Sequence, residues 1–67
     1  MDMVPVVSSN VSAIGYEAGF IEVRFHSGSV YRYPDCTIEL FKQFLNAPSK
    51  GAFLHRYLKG RGESKIR

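Results

Sequence analysis

The sequence predicts an α+β fold: a three-stranded antiparallel β-meander followed by two α-helices packed on one face of the sheet. Three observations predict it. Residues 11–33 alternate apolar and polar positions with a period of two between turn signals, the stretch after Pro34 repeats its apolar residues at i, i+3 and i+4, and 67 residues hold one core only. With no internal repeat and no Gly/Ser linker, residues 1–67 read as a single domain, its core over about residues 8–60 and a basic tail at 61–67.

The first strand is read at Val11–Glu17 (VSAIGYE), where apolar and small residues alternate, and the second at Phe20–His26 (FIEVRFH), with Ile21, Val23 and Phe25 on one face. Glu17-Ala18-Gly19 is a short connection suited to a hairpin. The third strand is read at Ser29–Pro34 (SVYRYP) and closed by Pro34, which cannot donate to a ladder. Its register decides where two tyrosines point. A two-residue Ser27-Gly28 loop places Arg32 opposite Val23 and buries an arginine. A three-residue loop His26-Ser27-Gly28, with Gly28 left-handed in a G1 bulge, pairs Val23 with Tyr31 and Ile21 with Tyr33 and sets Arg32 against Glu22. The second register is preferred.

After Pro34 the period lengthens. Thr37–Ala47 carries Ile38, Phe41, Phe44 and Leu45 on one stripe, with Leu40 beside it, and reads as an amphipathic helix. Pro48 interrupts it. Ser49 or Asn46 is available to cap a second helix, Ala52–Lys59 carries Phe53/Tyr57 and Leu54/Leu58 at i, i+4, and Gly60 stops that helix. The tail RGESKIR has almost nothing to bury and is expected to be mobile unless a ligand or partner chain orders it.

Composition limits what such a chain is. A domain this small draws only about 3–5 kcal/mol from one core and commonly needs a disulfide, a metal or oligomerisation besides. One cysteine, Cys36, allows no intrachain disulfide, and His26, Cys36 and His55 match no zinc spacing, so neither a metal nor a cofactor is expected. A homo-oligomer is the remaining support. The segment MDMVPVVSS lacks the basic n-region and apolar run of a secretory signal, and no 18 apolar residues run together, so a cytoplasmic location with no membrane partner and a reduced Cys36 is expected.

The formal charge of +3 is unevenly placed. Residues 1–46 set Arg24, Arg32 and Lys42 against Asp2, Glu17, Glu22, Asp35 and Glu39, a net −2; residues 47–67 set Lys50, Arg56, Lys59, Arg61, Lys65 and Arg67 against Glu63, a net +5. Concentrated positive charge steers phosphate-bearing partners, while the same charges on a solvated helix face and tail serve solubility alone.

Catalytic signatures are missing: there is no G-x-S-x-G elbow, H-E-x-x-H helix, Walker loop or dinucleotide fingerprint. His26 and His55 read as surface residues, and Cys36 beside Asp35 as a small buried hydrophobe rather than an activated thiolate. The chain is therefore expected not to be an enzyme. Ser49-Lys50-Gly51 at a helix start is either a cap with an exposed lysine or an anion-holding turn. Tyr31-Arg32-Tyr33 places two rings on one strand face and a guanidinium on the other. The rings are either core or a stacking surface, and their hydroxyls reach toward the sheet edge in both cases.

The runs SSNVSAIGYE and FIEVRFHSGSVYRYPDC and the spacing F-x-x-F-L-N-A-P-S-K-G-A-F-L resemble the KTSC domain, found at the C-terminus of some lysyl-tRNA synthetases and free-standing in bacteria and phages. The resemblance covers about residues 8–60 and rests on Ile14-Gly15-Tyr16, Tyr31-Arg32-Tyr33 and Ala47-Pro48-Ser49-Lys50-Gly51. Two departures stand out: Cys36-Thr37 where the family usually has a proline, and Phe53-Leu54-His55 where it has Tyr-Phe-Asn. The resemblance implies RNA binding, proposed for the family from the synthetase context, and adds weight to Tyr31, Arg32, Tyr33, Ser49 and Lys50 as a ligand surface.

The expected function is a non-catalytic binding module for a phosphate-containing ligand, either a nucleotide signal, sequestered as by a phage-type sponge, or RNA. Arg32, Lys50, Arg56, Lys59 and Arg61 would pair with phosphates, and Tyr31 or Tyr33 would stack on a base or donate a hydroxyl. Ser49 would hold an anion at the helix start. The alternative is a protein-interaction module that inhibits or adapts a host enzyme through an open sheet edge.

Overall fold

The computed structural model describes residues 1–67. Five antiparallel strands lie in sequence order: β1 (Met3–Pro5), β2 (Val11–Glu17), β3 (Phe20–Phe25), β4 (Val30–Tyr33) and β5 (Ser64–Lys65). Helix α1 (Ile38–Asn46) follows β4, and α2 (Lys50–Phe53) runs directly into a π-helical turn at Leu54–Leu58. The predicted α+β meander is therefore the centre of a wider sheet, with five strands rather than three.

The preferred register is the one formed. Ile21 pairs with Tyr33, Glu22 with Arg32 and Val23 with Tyr31. Phe25 N–H donates to the Ser29 carbonyl at 2.9 Å, and Gly28 sits at φ +97° in the three-residue loop between them. The β2–β3 loop is tighter: Glu17 pairs with Phe20, and Ala18 (φ 51°) and Gly19 (φ 85°) are both left-handed, the requirement of a type I′ turn.

Two strands escape the sequence reading because neither is built on alternation. The short β1 pairs Met3 with Gly15 and Pro5 with Ala13. The tail expected to be mobile is instead ordered as β5, with Lys65 opposite Tyr31 and Ser64 opposite Arg32. Backbone ladder bonds and one arginine, rather than burial, hold that tail in place.

Helix α1 starts where the sequence places it, with Thr37 Oγ1 accepting from Leu40 N–H at 3.1 Å. Its stripe turns Phe41 and Phe44 onto the sheet face carrying Ile14, Ile21, Val23 and Tyr33, and Leu58 of the π-turn completes the cluster. Burying a side chain such as Phe44 contributes roughly 1.5–3 kcal/mol, and Phe44, Ile14, Ile21, Val23 and Leu58 are all fully buried. The second helical stretch begins at Lys50 rather than Ala52, and its last turn is π rather than α, closed by a bond from Lys59 N–H to the Leu54 carbonyl. No helix is long and apolar enough to cross a membrane.

Candidate functional site

The helices cover one face of the sheet, and strand alternation therefore divides the candidate residues. Tyr31 and Tyr33 point to the helix side. Tyr33 is buried, and Tyr31 is half-buried with its ring edge-on to Phe25 at 5.9 Å. Of the two readings open for these rings, Tyr33 takes the core one. Burial, reinforced by the Glu63 and Tyr31 charges, pushes its phenol up to about 12 from 10.0.

Arg32 lies on the opposite, solvent-facing side. Its guanidinium donates to a single carboxylate oxygen of Glu22 from Nη2 at 2.6 Å and Nε at 2.9 Å, and it sits 5.5 Å from the Phe20 ring centroid. Its charge is thus matched by Glu22 on its own face of the sheet.

Two more cations are engaged by carbonyls. Lys50 Nζ donates to the Ala47 carbonyl at 2.6 Å, tying the end of α1 to the start of α2. Arg61 donates from Nη1 to the Asp35 carbonyl and from Nη2 to the Tyr57 carbonyl, both at 2.7 Å. Ser49 is the helix cap, its Oγ accepting from Ala52 N–H at 3.2 Å. Beside it Gly51 packs against the Asn10 side chain, and a Cβ there would stand 3.2 Å from the Asn10 amide. His26 Nε2 lies 2.9 Å from the Ser8 carbonyl, which only accepts, so this nitrogen carries the proton and pins the loop before β2.

Cys36 is buried, its Sγ 3.4 Å from the carbonyls of Tyr33 and Pro34. Burial pushes the thiol up, against an opposing pull from the Arg61 guanidinium, so the group is a neutral thiol at pH 7.

Of the sequence candidates, Ser49 and Arg56 are brought together. With Pro48, Ala52, Phe53 and Tyr57 they line an open groove whose volume is about 190 Å³. The Arg56 guanidinium lies 5.9 Å from the Tyr57 ring centroid, and Tyr57 is 49% exposed. Lys59, also exposed, follows at the end of the π-turn.

Phe53 and Tyr57 are not among the sequence candidates. Their i, i+4 spacing reads as part of a buried stripe, yet only Leu58 of that stretch is fully covered. The signal that distinguishes them is the neighbouring arginine: Arg56 beside Tyr57 places a cation at an aromatic that the core does not enclose.

Comparison with known proteins supports the same frame. A protein of Tsukamurella paurometabola is 36% identical over 61 residues, covering 88% of this chain and 91% of that one. Lysine–tRNA ligases of Trichormus variabilis and of a Nostoc species are 39% and 38% identical over 41 and 40 residues; these matches cover 61% and 60% of this chain but only 7% of each ligase. The crystal structure of a KTSC domain protein from Yersinia pestis superposes with a TM-score of 0.90 at 30% identity, covering 98% of this chain and 97% of that one. The KTSC domain pattern itself matches residues 7–61, nearly the whole globular unit, and the chain belongs to the KTSC domain family.

Proposed function

We propose that this chain is a non-catalytic binding module for a phosphate-containing ligand, RNA or a nucleotide, acting by occupancy in the cytoplasm. The observation that carries the reading is the Arg56–Tyr57 pair. A cation able to meet a phosphate stands beside an exposed aromatic face, within a segment of net charge +5 over residues 47–67. Kinship with segments of lysine–tRNA ligases, enzymes whose name specifies a tRNA substrate, supports the RNA form of the ligand.

Occupancy rather than turnover fits the disposition of the reactive side chains. The Ser49 hydroxyl caps a helix, the Cys36 thiol is buried and protonated, and His26 holds a loop carbonyl. Protein docking at a sheet edge has less support, since β1 carries Pro5 and β5 spans only Ser64–Lys65, features that blunt an edge. Only 12 of 67 residues are buried, a small core for an independent domain, which supports a homo-oligomer.

The test is an affinity titration of the purified protein against single-stranded RNA and against a nucleoside monophosphate at several salt concentrations. RNA affinity should fall by roughly 0.7 log unit per log unit of salt for each phosphate neutralised. Arg56→Ala combined with Lys59→Ala should weaken binding and flatten that slope. Absence of binding to either probe at low salt would overturn the reading, and native mass spectrometry of the same sample reads the oligomeric state.

A further inference from the structure

We infer that the groove beside Tyr57 receives one unpaired nucleobase of a single-stranded nucleic acid, an inference that deepens the phosphate-ligand reading and rests on it. Size argues first. Pockets that enclose whole small-molecule ligands start at about 300 Å³, whereas this groove holds about 190 Å³. Shallow and largely open, it offers a surface for one flat ring system rather than a cavity that would enclose a whole nucleotide.

The lining argues second. Tyr57 is the outer member of an aromatic ladder: its ring centroid lies 4.7 Å from that of Phe53, and Phe53 stacks on the fully buried Phe44 at 5.1 Å and 13°. The ladder anchors the exposed ring in the core, so little side-chain freedom remains to be lost when a base stacks on it. The ladder's last members also stand where the helix widens to π geometry, an irregularity common at functional sites.

Charge argues third. Arg56 lines the groove, and Lys59 follows it with no protein acceptor or carboxylate engaging its ammonium. Glu63, the sole acid of residues 47–67, is turned to the Gly60 N–H, and backbone hydrogen bonds hold its carboxyl below the usual range. The groove is therefore complementary to a polyanion rather than to an apolar peptide. A base inside a duplex hides its faces against its neighbours, so only an unpaired base can enter.

The experiment is fluorescence anisotropy with labelled oligonucleotides of about ten residues, a length within the usual single-strand site size. Single-stranded RNA, single-stranded DNA of the same sequence and duplex RNA are each titrated, with inorganic polyphosphate and adenosine monophosphate as competitors. Wild type is compared with Tyr57→Ala, Tyr57→Phe and Arg56→Ala, each checked for an unchanged unfolding midpoint.

Single strands should bind at least tenfold tighter than the duplex. Tyr57→Ala should lose about tenfold with its salt slope intact, since stacking carries no counterion release, while Tyr57→Phe keeps most of the affinity. The RNA and DNA arms identify which single strand is preferred. Equal binding of duplex and single strand, with Tyr57→Ala unaltered, overturns the base groove and leaves the phosphate reading standing. Adenosine monophosphate competing at concentrations equal to the oligonucleotide overturns it in favour of a free nucleotide. Failure of every polyanion overturns both.

Discussion

Arg61 donates a 2.7 Å hydrogen bond to the backbone carbonyl of Asp35, and in doing so ties the C-terminal tail to the junction between β4 and α1. A second 2.7 Å bond reaches the Tyr57 carbonyl at the end of the π-turn. One guanidinium thus joins three segments that share no other polar side chain. Its third donor, Nε, is buried with no acceptor, which subtracts from the gain.

Arg61→Ala should therefore lower stability by about 2 kcal/mol, the range for charge-assisted bonds to backbone. Arg61→Lys should recover only part, because an ammonium lacks the planar, pre-organised fork with which the guanidinium spans the two carbonyls. Urea unfolding reads both, and hydrogen exchange should show the amides of Ile66 and Arg67, bonded to Val30, losing protection first. An unchanged midpoint in Arg61→Ala would mean that the ladder alone holds β5.

Ala18 occupies a left-handed position at φ 51°, the first central residue of the β2–β3 turn. Its Cβ is strained there, and Asn or Gly is not. Ala18→Asn should stabilise the protein by about 1 kcal/mol, with Ala18→Gly gaining less because of its greater freedom when unfolded. Thermal unfolding checks the order; a loss of stability in both variants would contradict the turn assignment.

The central hairpins were legible in the sequence because each choice there was over-determined. A buried arginine ruled out one register at Ser27-Gly28, and Gly28 supplied the positive φ that the other required. The first helix was legible from its stripe, since Ile38, Phe41, Phe44 and Leu45 all fall at helical spacing. The edges were not. Pro5 argues against a strand, and Ser64-Lys65 presents no apolar face, so β1 and β5 depend on partners that only the folded sheet provides. The π-turn was hidden because Phe53/Tyr57 and Leu54/Leu58 satisfy an α-helical spacing equally well. The candidate site was half legible: the register that the sequence favoured already set Arg32 against Glu22, and residue type picked out Ser49 and Arg56, but not that Lys50 and Arg61 would be turned to carbonyls.

Gly15 of the Ile14-Gly15-Tyr16 motif shows why a strand interior there carries no side chain. A Cβ would stand 2.8 Å from the Asp2 carbonyl oxygen and 2.8 Å from Met3 Sδ. Gly15→Ala should push β1 off the sheet while β2, β3 and β4 stay paired. The expected signature is lost exchange protection of the Val6 amide, which bonds to Ser12, together with a modest fall in stability. Retained protection would show that the N-terminal strand adjusts without detaching.

Arg32 and Arg56 offer opposite expectations for the same change. Arg32 is matched by Glu22 and stands on the face away from the helices, whereas Arg56 lines the groove. Arg32→Ala should alter RNA affinity by less than about twofold, and stability should fall by about 1–3 kcal/mol because the Glu22 carboxylate, only 14% exposed, loses its partner. Arg56→Ala should cost affinity severalfold and reduce the salt slope by roughly one phosphate's share. A larger binding loss from Arg32→Ala than from Arg56→Ala would move the interface to the open face of the sheet.

Tyr33 gives the fold an alkaline limit. Its phenol ionises near 10.0 in the unfolded chain and is pushed up to about 12 in the folded one, chiefly by burial. Between those values the unfolded state releases a proton that the native state keeps, so the unfolded state binds fewer protons and stability falls as pH rises. The contribution is fully present below pH 10 and is lost through about pH 12. Cys36, also raised by burial, adds a fall of the same sign that begins nearer its ordinary value of 9.0. Urea unfolding across pH 8 to 12 should therefore show midpoints declining in wild type. Tyr33→Phe, which keeps the ring and removes the ionising hydroxyl, should decline less steeply above pH 10, and Cys36→Ala should remove only the earlier part of the fall. Parallel profiles for wild type and Tyr33→Phe would place the alkaline transition in another group.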